Sequence, residues 1–253
     1  GKNWTFFATA IMLIPLFGLA QAMQDPTTSY ETFLIYVALL GIAGANFSSS
    51  MSNIGYFFPR SRRGTALGIN AGIGNLGVSV IFLLAPVVIA MDIFVPIFGG
   101  PQTLSDGGKI FLQNACYVGI VQIIAVLFFI AKYMDNLPIP KQSPKALLSM
   151  FTNKHTWIMT WIYTCGFGSF IGYSVALSLL VAKDFPEVSF AYAAFLGPFI
   201  GAGIRPFGGW LSDKINNGSL ITLLSLIGIF VAAIAVLFGI EQHNFPLFFG
   251  AFL

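Results

Sequence analysis

Long runs of apolar residues alternate with short polar segments along the whole chain. A run needs about 20 residues to cross the hydrocarbon core of a bilayer as a helix. Seven runs reach that length, and an eighth begins near Pro246 and continues to Leu253. The pattern predicts membrane-spanning helices over residues 4–23, 33–57, 64–91, 113–133, 156–182, 190–211 and 219–240. We therefore expect an all-α, polytopic membrane protein whose solvent is the lipid bilayer.

Composition supports this class and argues against several others. The chain is 57% hydrophobic and 8% charged, whereas soluble domains carry about 25% charged residues. A net charge of +3 does not suggest a nucleic-acid partner. Cys116 and Cys165 both lie in apolar runs, where they form no disulfide framework. His155 and His243 are predicted on opposite sides of the membrane without a cluster of carboxylates, so we expect no metal, no cofactor and no enzymatic activity.

The basic residues predict the orientation in the membrane. Cytoplasmic loops carry an excess of Lys and Arg, and here nine basic residues lie in alternate loops against two in the opposite loops. The opposite pair is Lys109 and Lys183. The cytoplasmic group comprises Lys2, Arg60, Arg62, Arg63, Lys132, Lys141, Lys145, Lys154 and Lys214. We expect a multi-pass protein of a bacterial-type inner membrane.

Two loops organise the chain. Residues 134–155 contain three prolines and several lysines, as in a cytoplasmic linker between two helical halves, 1–133 and 156–253. Residues 92–112 form a turn-rich segment on the opposite side. Because the chain starts with Gly1 and stops within an apolar run, we expect it to be an internal piece of a longer, transporter-sized protein.

The stretch GINAGIGNLGVSV at 68–80 allows two interpretations. A phosphate-binding loop would need the pattern GxxxxGK[ST] after a strand, and neither is present. On a helix, five small or polar residues share one 80° stripe: Gly64, Gly68, Gly72, Asn75 and Ser79. Small residues at this spacing let membrane helices approach closely. Packing alone does not explain Asn75, because a mid-membrane amide needs partners.

Arg205 is the one basic residue predicted inside a span. Burying it costs roughly 2.5–3.5 kcal/mol on insertion scales. All nine acidic residues fall in loops or at span ends, so an anionic ligand is one interpretation. Snorkelling to the interface and pairing with an acid outside the chain are the alternatives.

Four segments carry a family resemblance: AGIGNLGVS at 71–79, GANFSSSMSNIGYFFP at 44–59, FGSFIGYS at 167–174 and GPFIGAGIRPFGGWLSDK at 197–214. They resemble the nitrate/nitrite porters (NarK-type) of the major facilitator superfamily over essentially the whole chain. The resemblance implies the fold of that superfamily, with the chain covering about helices 3 to 10 of 12. It also implies that residues 1–133 contain helices 3–6 of that fold and that residues 156–253 contain helices 7–10.

The resemblance also implies roles for individual residues. Arg205 corresponds to the arginine that binds the anion, Asn75 to the signature asparagine and Tyr163 to a hydrogen-bond donor. Phe47 and Phe167 correspond to aromatic residues that sandwich the substrate. The glycines of the family's signature helix correspond to Gly68, Gly72, Gly74 and Gly77. The residues of the cytoplasmic gate correspond to Asp213 and Lys214.

These implications suit the chemistry of nitrate, a small, flat anion with three accepting oxygens. A guanidinium group can donate two parallel hydrogen bonds to it, and nitrite offers acceptors of the same kind. We expect a monomeric carrier that exchanges nitrate and nitrite by alternating access. The alternatives are proton-coupled nitrate uptake, a carrier of another small anion such as formate or oxalate, and, from a different class, a polytopic membrane enzyme.

Overall fold

The computed structural model describes residues 1–94, 99–104, 107–136, 143–188 and 194–253, without the side chains of residues 45, 146 and 147. Helices dominate the described chain. They are α1 (Lys2–Ala10), α2 (Leu13–Ala22), α3 (Tyr30–Leu40), α4 (Ala43–Phe57), α5 (Arg63–Ala90), α6 (Gln113–Tyr133), α7 (Pro144–Leu148), α8 (Lys154–Asp184), α9 (Leu196–Ile215), α10 (Gly218–Glu241) and α11 (Phe245–Phe252). The predicted all-α class is confirmed.

Within the described ranges, five helical segments are long and apolar enough to cross a membrane: Lys2–Ala22, Arg60–Ala90, Gln113–Tyr133, Lys154–Asp184 and Gly218–Glu241. They correspond to five of the seven predicted spans. The predicted span 190–211 corresponds to α9, which begins at Leu196 and continues to Ile215. Residues 190–193 of that prediction lie outside the described part of the chain.

The predicted span 33–57 is divided into α3 and α4, which differs from the single helix that the apolar run predicts. The division is a tightened turn, since the Ile42 N–H donates to Leu39 O (3.1 Å) and the Gly44 N–H to Gly41 O (3.0 Å). Bonds from residue i+3 to residue i are those of a 3₁₀ turn, which is wound more tightly than an α-helix. The same tightening divides α1 from α2, where the Met12 N–H donates to Thr9 O (3.3 Å).

The described chain separates into two compact units, of which the first comprises residues 1–57 and 82–137. Its core lies where α2 meets α6, around Leu19, Ala20, Cys116 and Tyr117. The hydroxyl of the buried Tyr117 accepts hydrogen bonds from Gln21 Nε2 (2.9 Å) and Gln24 Nε2 (3.2 Å). These bonds satisfy a polar group that would otherwise be buried alone.

The loop predicted as turn-rich belongs to this first unit. It contains a short antiparallel hairpin, β1 (Gln102–Thr103) and β2 (Lys109–Ile110), with Gln102 opposite Ile110. The side chain of Gln102 donates to Gln113 Oε1 (2.9 Å). Gln113 itself donates to Gly100 O (2.9 Å) and is 1% exposed. Amide side chains thus attach the loop to the start of α6.

The second unit comprises residues 58–81 and 138–253. It contains the first two-thirds of α5 together with α7 to α11. At one end, the fully buried ring of Phe185 packs against His243, Phe245 and Phe248. These contacts attach the end of α8 to the turn between α10 and α11.

Residues 58–81, which the sequence assigns to the first predicted half, group with the second compact unit, and the two helical halves stay a prediction. Pro86, inside α5, has no N–H to donate to the carbonyl of Phe82, so the helix lacks one hydrogen bond beside the boundary between residues 81 and 82. The predicted linker, 134–155, contains α7 and a 3₁₀ turn at Ser149–Thr152. Residues 137–142 of that linker, including Lys141, lie outside the described residues.

Candidate functional site

Three glycines of α5 bring its backbone against α9. A Cβ atom added at any of them would lie within 3.0 Å of a carbonyl oxygen of α9, closer than real Cβ atoms come. The pairs are Gly64 with Gly209 O (2.8 Å), Gly68 with Arg205 O (2.6 Å) and Gly72 with Ala202 O (2.8 Å). Residue numbers rise along α5 as they fall along α9, so the two helices are antiparallel. Only glycine permits this approach.

A proline on α9 adds to this contact. Pro206 has no N–H, so the carbonyl of Ala202 lacks its usual partner within the helix. That carbonyl oxygen lies where a Cβ of Gly72 would be, 2.8 Å from the added atom. By contrast, nothing among the described residues lies within 4 Å of a Cβ added at Gly74 or Gly77. The close approach therefore uses Gly64, Gly68 and Gly72.

Asn75 and Ser79 continue the same stripe beyond the glycines. Asn75 is 8% exposed and Ser79 is 3% exposed. Neither Asn75 Nδ2 nor Ser79 Oγ has a hydrogen-bond partner among the described residues. Two polar groups on consecutive turns are thus buried with their hydrogen-bonding capacity unused, which is rare in folded proteins.

Arg205 points from α9 towards aromatic rings of α8. Its Cζ lies 5.0 Å from the ring centroid of Phe170 and 5.7 Å from that of Phe167, within the range of cation–π attraction. In the part of the chain that the structure describes, no carboxylate lies within 4.0 Å of the guanidinium. The positive charge is half-buried and is stabilised by ring faces, which supply no hydrogen-bond acceptor.

The rings beside Arg205 form a column along α8. Tyr163 stacks on Phe167 with centroids 5.4 Å apart and an interplanar angle of 14°, and Phe167 stacks on Phe170 at 6.2 Å and 22°. The phenol of Tyr163 also interacts electrostatically with Arg205. The structure thus brings together three of the predicted substrate residues, Arg205, Tyr163 and Phe167.

Phe170 belongs with this group but was not among the predicted substrate residues. The available signal was its position three residues after Phe167, on the same face of α8. Gly201 makes room for it, since a Cβ added there would lie 3.0 Å from Phe170 Cε2. The predicted aromatic partner from the other half, Phe47, lies half-buried on α4 in the first unit. Its place in a substrate sandwich stays a prediction.

The predicted cytoplasmic gate lies at the other end of the contact between α5 and α9. The Asp213 carboxylate accepts hydrogen bonds from the N–H of Gly64 (2.9 Å), the N–H of Thr65 (2.7 Å) and the Thr65 hydroxyl (2.7 Å). The first N–H groups of a helix have no partner within it and carry partial positive charge. Asp213 therefore binds α5 as an anion binds a helix N-terminus.

The ionised form of Asp213 is favoured by these bonds. Asp213 lies in the polar last turn of α9, beyond the predicted span. Desolvation raises the pKa of its carboxyl, but the hydrogen bonds from Thr65 and Gly64 together outweigh this effect and bring the pKa below its ordinary value. Lys214, the second predicted gate residue, places its Nζ 4.9 Å from the ring centroid of Trp210 on its own helix.

Comparison with known proteins gives concordant relatives. The chain is 40% identical to a nitrate/nitrite transporter NarU of Escherichia coli over 100% of its length and 55% of the relative's. It is 43% identical to NarU of Salmonella typhimurium over 90% of the chain and 49% of the relative. A probable nitrate/nitrite antiporter NarK2 of Thermus thermophilus is 36% identical over 100% of the chain and 59% of the relative.

The chain thus spans about half the length of these curated relatives. The resemblance stated from the sequence motifs agrees with their printed names. In addition, the family model described as Major Facilitator Superfamily matches residues 1–253. Together with the apolar helices and the packing of α5 on α9, this match shows that the chain belongs to the Major Facilitator Superfamily.

Proposed function

We propose that the complete protein transports nitrate and nitrite across the inner membrane by alternating access, and that it exchanges one anion for the other. One observation carries the proposal: the guanidinium of Arg205, on the helix of the predicted span 190–211, lies against the rings of Phe167 and Phe170 without a carboxylate partner among the described residues. A half-buried cation of this kind attracts an anion. The relatives named as nitrate/nitrite transporters support the identity of that anion.

The shape of the group matches the shape of the ligand. A guanidinium fork donates two parallel hydrogen bonds in one plane, which suits two oxygens of nitrate or both oxygens of nitrite. The column of rings offers a flat, apolar wall beside it. In this proposal Tyr163 and Asn75 donate to the anion, and Phe47 and Phe167 cover its two faces.

In this proposal, helices α5 and α9 separate and come together again during transport. Asp213 binds the N-terminus of α5 through hydrogen bonds. The glycines of α5 in this contact, Gly64, Gly68 and Gly72, have no side chains that interlock with α9. Such a contact can separate and re-form as the two predicted halves rock. In this proposal it closes the cytoplasmic side, and Asp213 acts as a gate rather than as a substrate ligand.

Exchange is favoured over proton-coupled uptake for a chemical reason. Proton carriers in membranes are commonly carboxylates or histidines inside a span, and those of this chain lie in loops or at span ends. The probable antiporter from Thermus thermophilus agrees with exchange. In liposomes that contain the complete protein, nitrate uptake should require internal nitrite or nitrate. Uphill uptake driven by a proton gradient into anion-free liposomes would contradict exchange.

The substitution Arg205→Lys tests the anion site. Lysine keeps the charge but replaces the planar fork with a compact, strongly hydrated ammonium. Loss of an aligned, charge-assisted hydrogen bond should cost roughly 1.5–3 kcal/mol, which is at least a tenfold loss of nitrate affinity. Calorimetry on the purified complete protein measures it. Arg62→Lys, the same change at an exposed position, is the control and should leave affinity unchanged. Wild-type affinity in the Arg205→Lys variant would remove Arg205 from the site.

A further inference from the structure

The hydroxyl of Ser79 is buried without the hydrogen bond that several other hydroxyls of the long helices make. Serine and threonine inside a helix commonly donate to the carbonyl four residues earlier. Five do so here at 2.6–2.9 Å: Thr164, Ser169, Ser174, Thr222 and Ser225. Ser79 is 3% exposed, yet its Oγ has no partner in the described chain. Its hydroxyl is therefore both buried and available to a ligand.

Asn75 presents a second available donor one helical turn before Ser79. Its Nδ2 is also without a partner among the described residues. Residues four apart on a helix have Cβ atoms roughly 5–6 Å apart on the same face. One small anion can lie between two donors at this spacing and accept a hydrogen bond from each.

Among the described residues, the chain opposite these donors is apolar. The glycine contacts pair residue 64 with 209, 68 with 205 and 72 with 202. Continued along both segments, this register brings Asn75 level with Pro198 of α9 and Ser79 level with Ala194, two residues before α9 begins. Pro198 and Ala194 are buried and have no polar side-chain atom. Neither described residue can accept a hydrogen bond from Asn75 or Ser79 through its side chain.

The guanidinium of Arg205 extends towards the same level. Side chains of a helix lean towards its N-terminus, and Arg205 lies over Phe170, which packs at Gly201 one turn earlier in α9. Because α9 is antiparallel to α5, this direction leads from the level of Gly68 towards that of Asn75. Arg205 therefore extends along α9 in the direction of Asn75, and Ser79 lies one helical turn beyond Asn75 on α5.

We propose that Ser79 donates a hydrogen bond to the third oxygen of nitrate, beside Asn75, and thereby sets the preference of the carrier for nitrate over nitrite. This inference rests on the proposed function. When the fork of Arg205 engages two oxygens, nitrate has a third oxygen left for Ser79 and Asn75. Nitrite has no third oxygen, so Ser79 can donate only to an oxygen that already accepts from the fork, or to the nitrogen, which is a weaker acceptor. The hydroxyl of Ser79 therefore stabilises bound nitrate and contributes little to bound nitrite.

Affinities for both anions, measured by calorimetry on the complete protein, test the inference. Ser79→Ala should lower nitrate affinity roughly three- to tenfold, as expected for the loss of one hydrogen bond, and leave nitrite affinity within about twofold. The substrate-free variant should be at least as resistant to heat as the wild type, because an unsatisfied buried hydroxyl destabilises a fold. An unchanged ratio of the two affinities would overturn the inference.

Two further variants separate hydrogen bonding from packing. Ser79→Cys keeps nearly the same volume but offers only a weak donor, so its affinity ratio should follow that of the alanine variant. Recovery of the wild-type ratio by cysteine would assign the effect to packing and overturn the inference. Ser174→Ala removes an equally buried hydroxyl, 5% exposed, that already donates to Phe170 O. It should keep the wild-type ratio.

The same measurements distinguish this inference from the proposed function. A wild-type protein that binds neither anion would overturn both. A wild-type protein that binds both anions, together with an alanine variant of unchanged ratio, would overturn only the role of Ser79.

Discussion

At each end of helix α5, a side chain from another helix forms hydrogen bonds with backbone groups of that end. The chemistry at the two ends is opposite. At the N-terminus, the carboxylate of Asp213 accepts hydrogen bonds from the N–H groups of Gly64 and Thr65. At the C-terminus, the Asn114 amide donates to the carbonyls of Val88 (3.3 Å) and Met91 (2.7 Å). Each end thus receives the group that its unpaired backbone atoms require.

The two closures also differ in burial and in origin. Asn114 is 1% exposed and comes from α6, in the same predicted half as α5. Asp213 is less deeply buried and comes from α9, in the other predicted half. A neutral, buried amide suits a contact that persists through the proposed transport cycle. A partly hydrated carboxylate suits a contact that breaks and re-forms, because water can solvate it when it is released.

The largest effect is expected from Asn114→Asp. The substitution keeps the shape of the side chain but replaces two N–H donors with a carboxylate that faces helix carbonyls. A buried charge without a partner is strongly destabilising, by about 3–5 kcal/mol when a buried pair is broken. We expect thermal unfolding of the purified protein at a markedly lower temperature. Asn136→Asp, the same change at an exposed position of the first unit, is the control. Equal stability of both variants would contradict a structural closure by Asn114.

Sequence reasoning succeeded where a physical rule acts locally. The stripe of Gly64, Gly68 and Gly72 follows from helix periodicity, and the structure places all three against α9. The apolar run 190–211 likewise predicts a helix around Arg205, and the structure places Arg205 on α9; its position within the membrane stays a prediction. These features require no knowledge of which helices are neighbours.

Features that depend on a distant partner could not be predicted from periodicity. Asn114 was not singled out, because an amide at the start of an apolar run does not reveal that the end of α5 lies beside it. Gly74 and Gly77 belong to the same signature as Gly72, yet only the three-dimensional arrangement shows which glycines meet a neighbour. The gate position of Asp213 came from the family resemblance, and its hydrogen bonds to α5 appear only in the folded chain.

A pair of glycine substitutions gives a smaller effect and tests whether α5 must approach α9 closely. In Gly72→Ala the new Cβ would lie 2.8 Å from Ala202 O and 2.9 Å from Pro206 Cδ, so the helices must separate. Such overpacking costs about 1–3 kcal/mol. Gly74→Ala meets nothing within 4 Å among the described residues and should stabilise the helix by roughly 0.5–1 kcal/mol. Unfolding temperatures of the two variants should shift in opposite directions. A shift in the same direction would contradict the assigned contact.

The smallest effect is expected from Asp213→Asn, which weakens the contact between residue 213 and the N-terminus of α5 without removing it. Asparagine keeps one accepting oxygen, but it loses the negative charge and turns an N–H group towards the N–H groups of α5. The lost interaction with the helix N-terminus is worth about 1 kcal/mol, so the contact should open roughly fivefold more often. Hydrogen exchange at the amides of Gly64 and Thr65 should accelerate by that factor. Exchange at Phe111, whose N–H donates to Ile89 O at the other end of α5 (2.7 Å), should not change. Lys214→Gln also removes one charge, but Lys214 lies over Trp210, so this control should leave both ends at the wild-type rate. Equal acceleration in both variants would contradict a specific role for the hydrogen bonds of Asp213 at this end of α5.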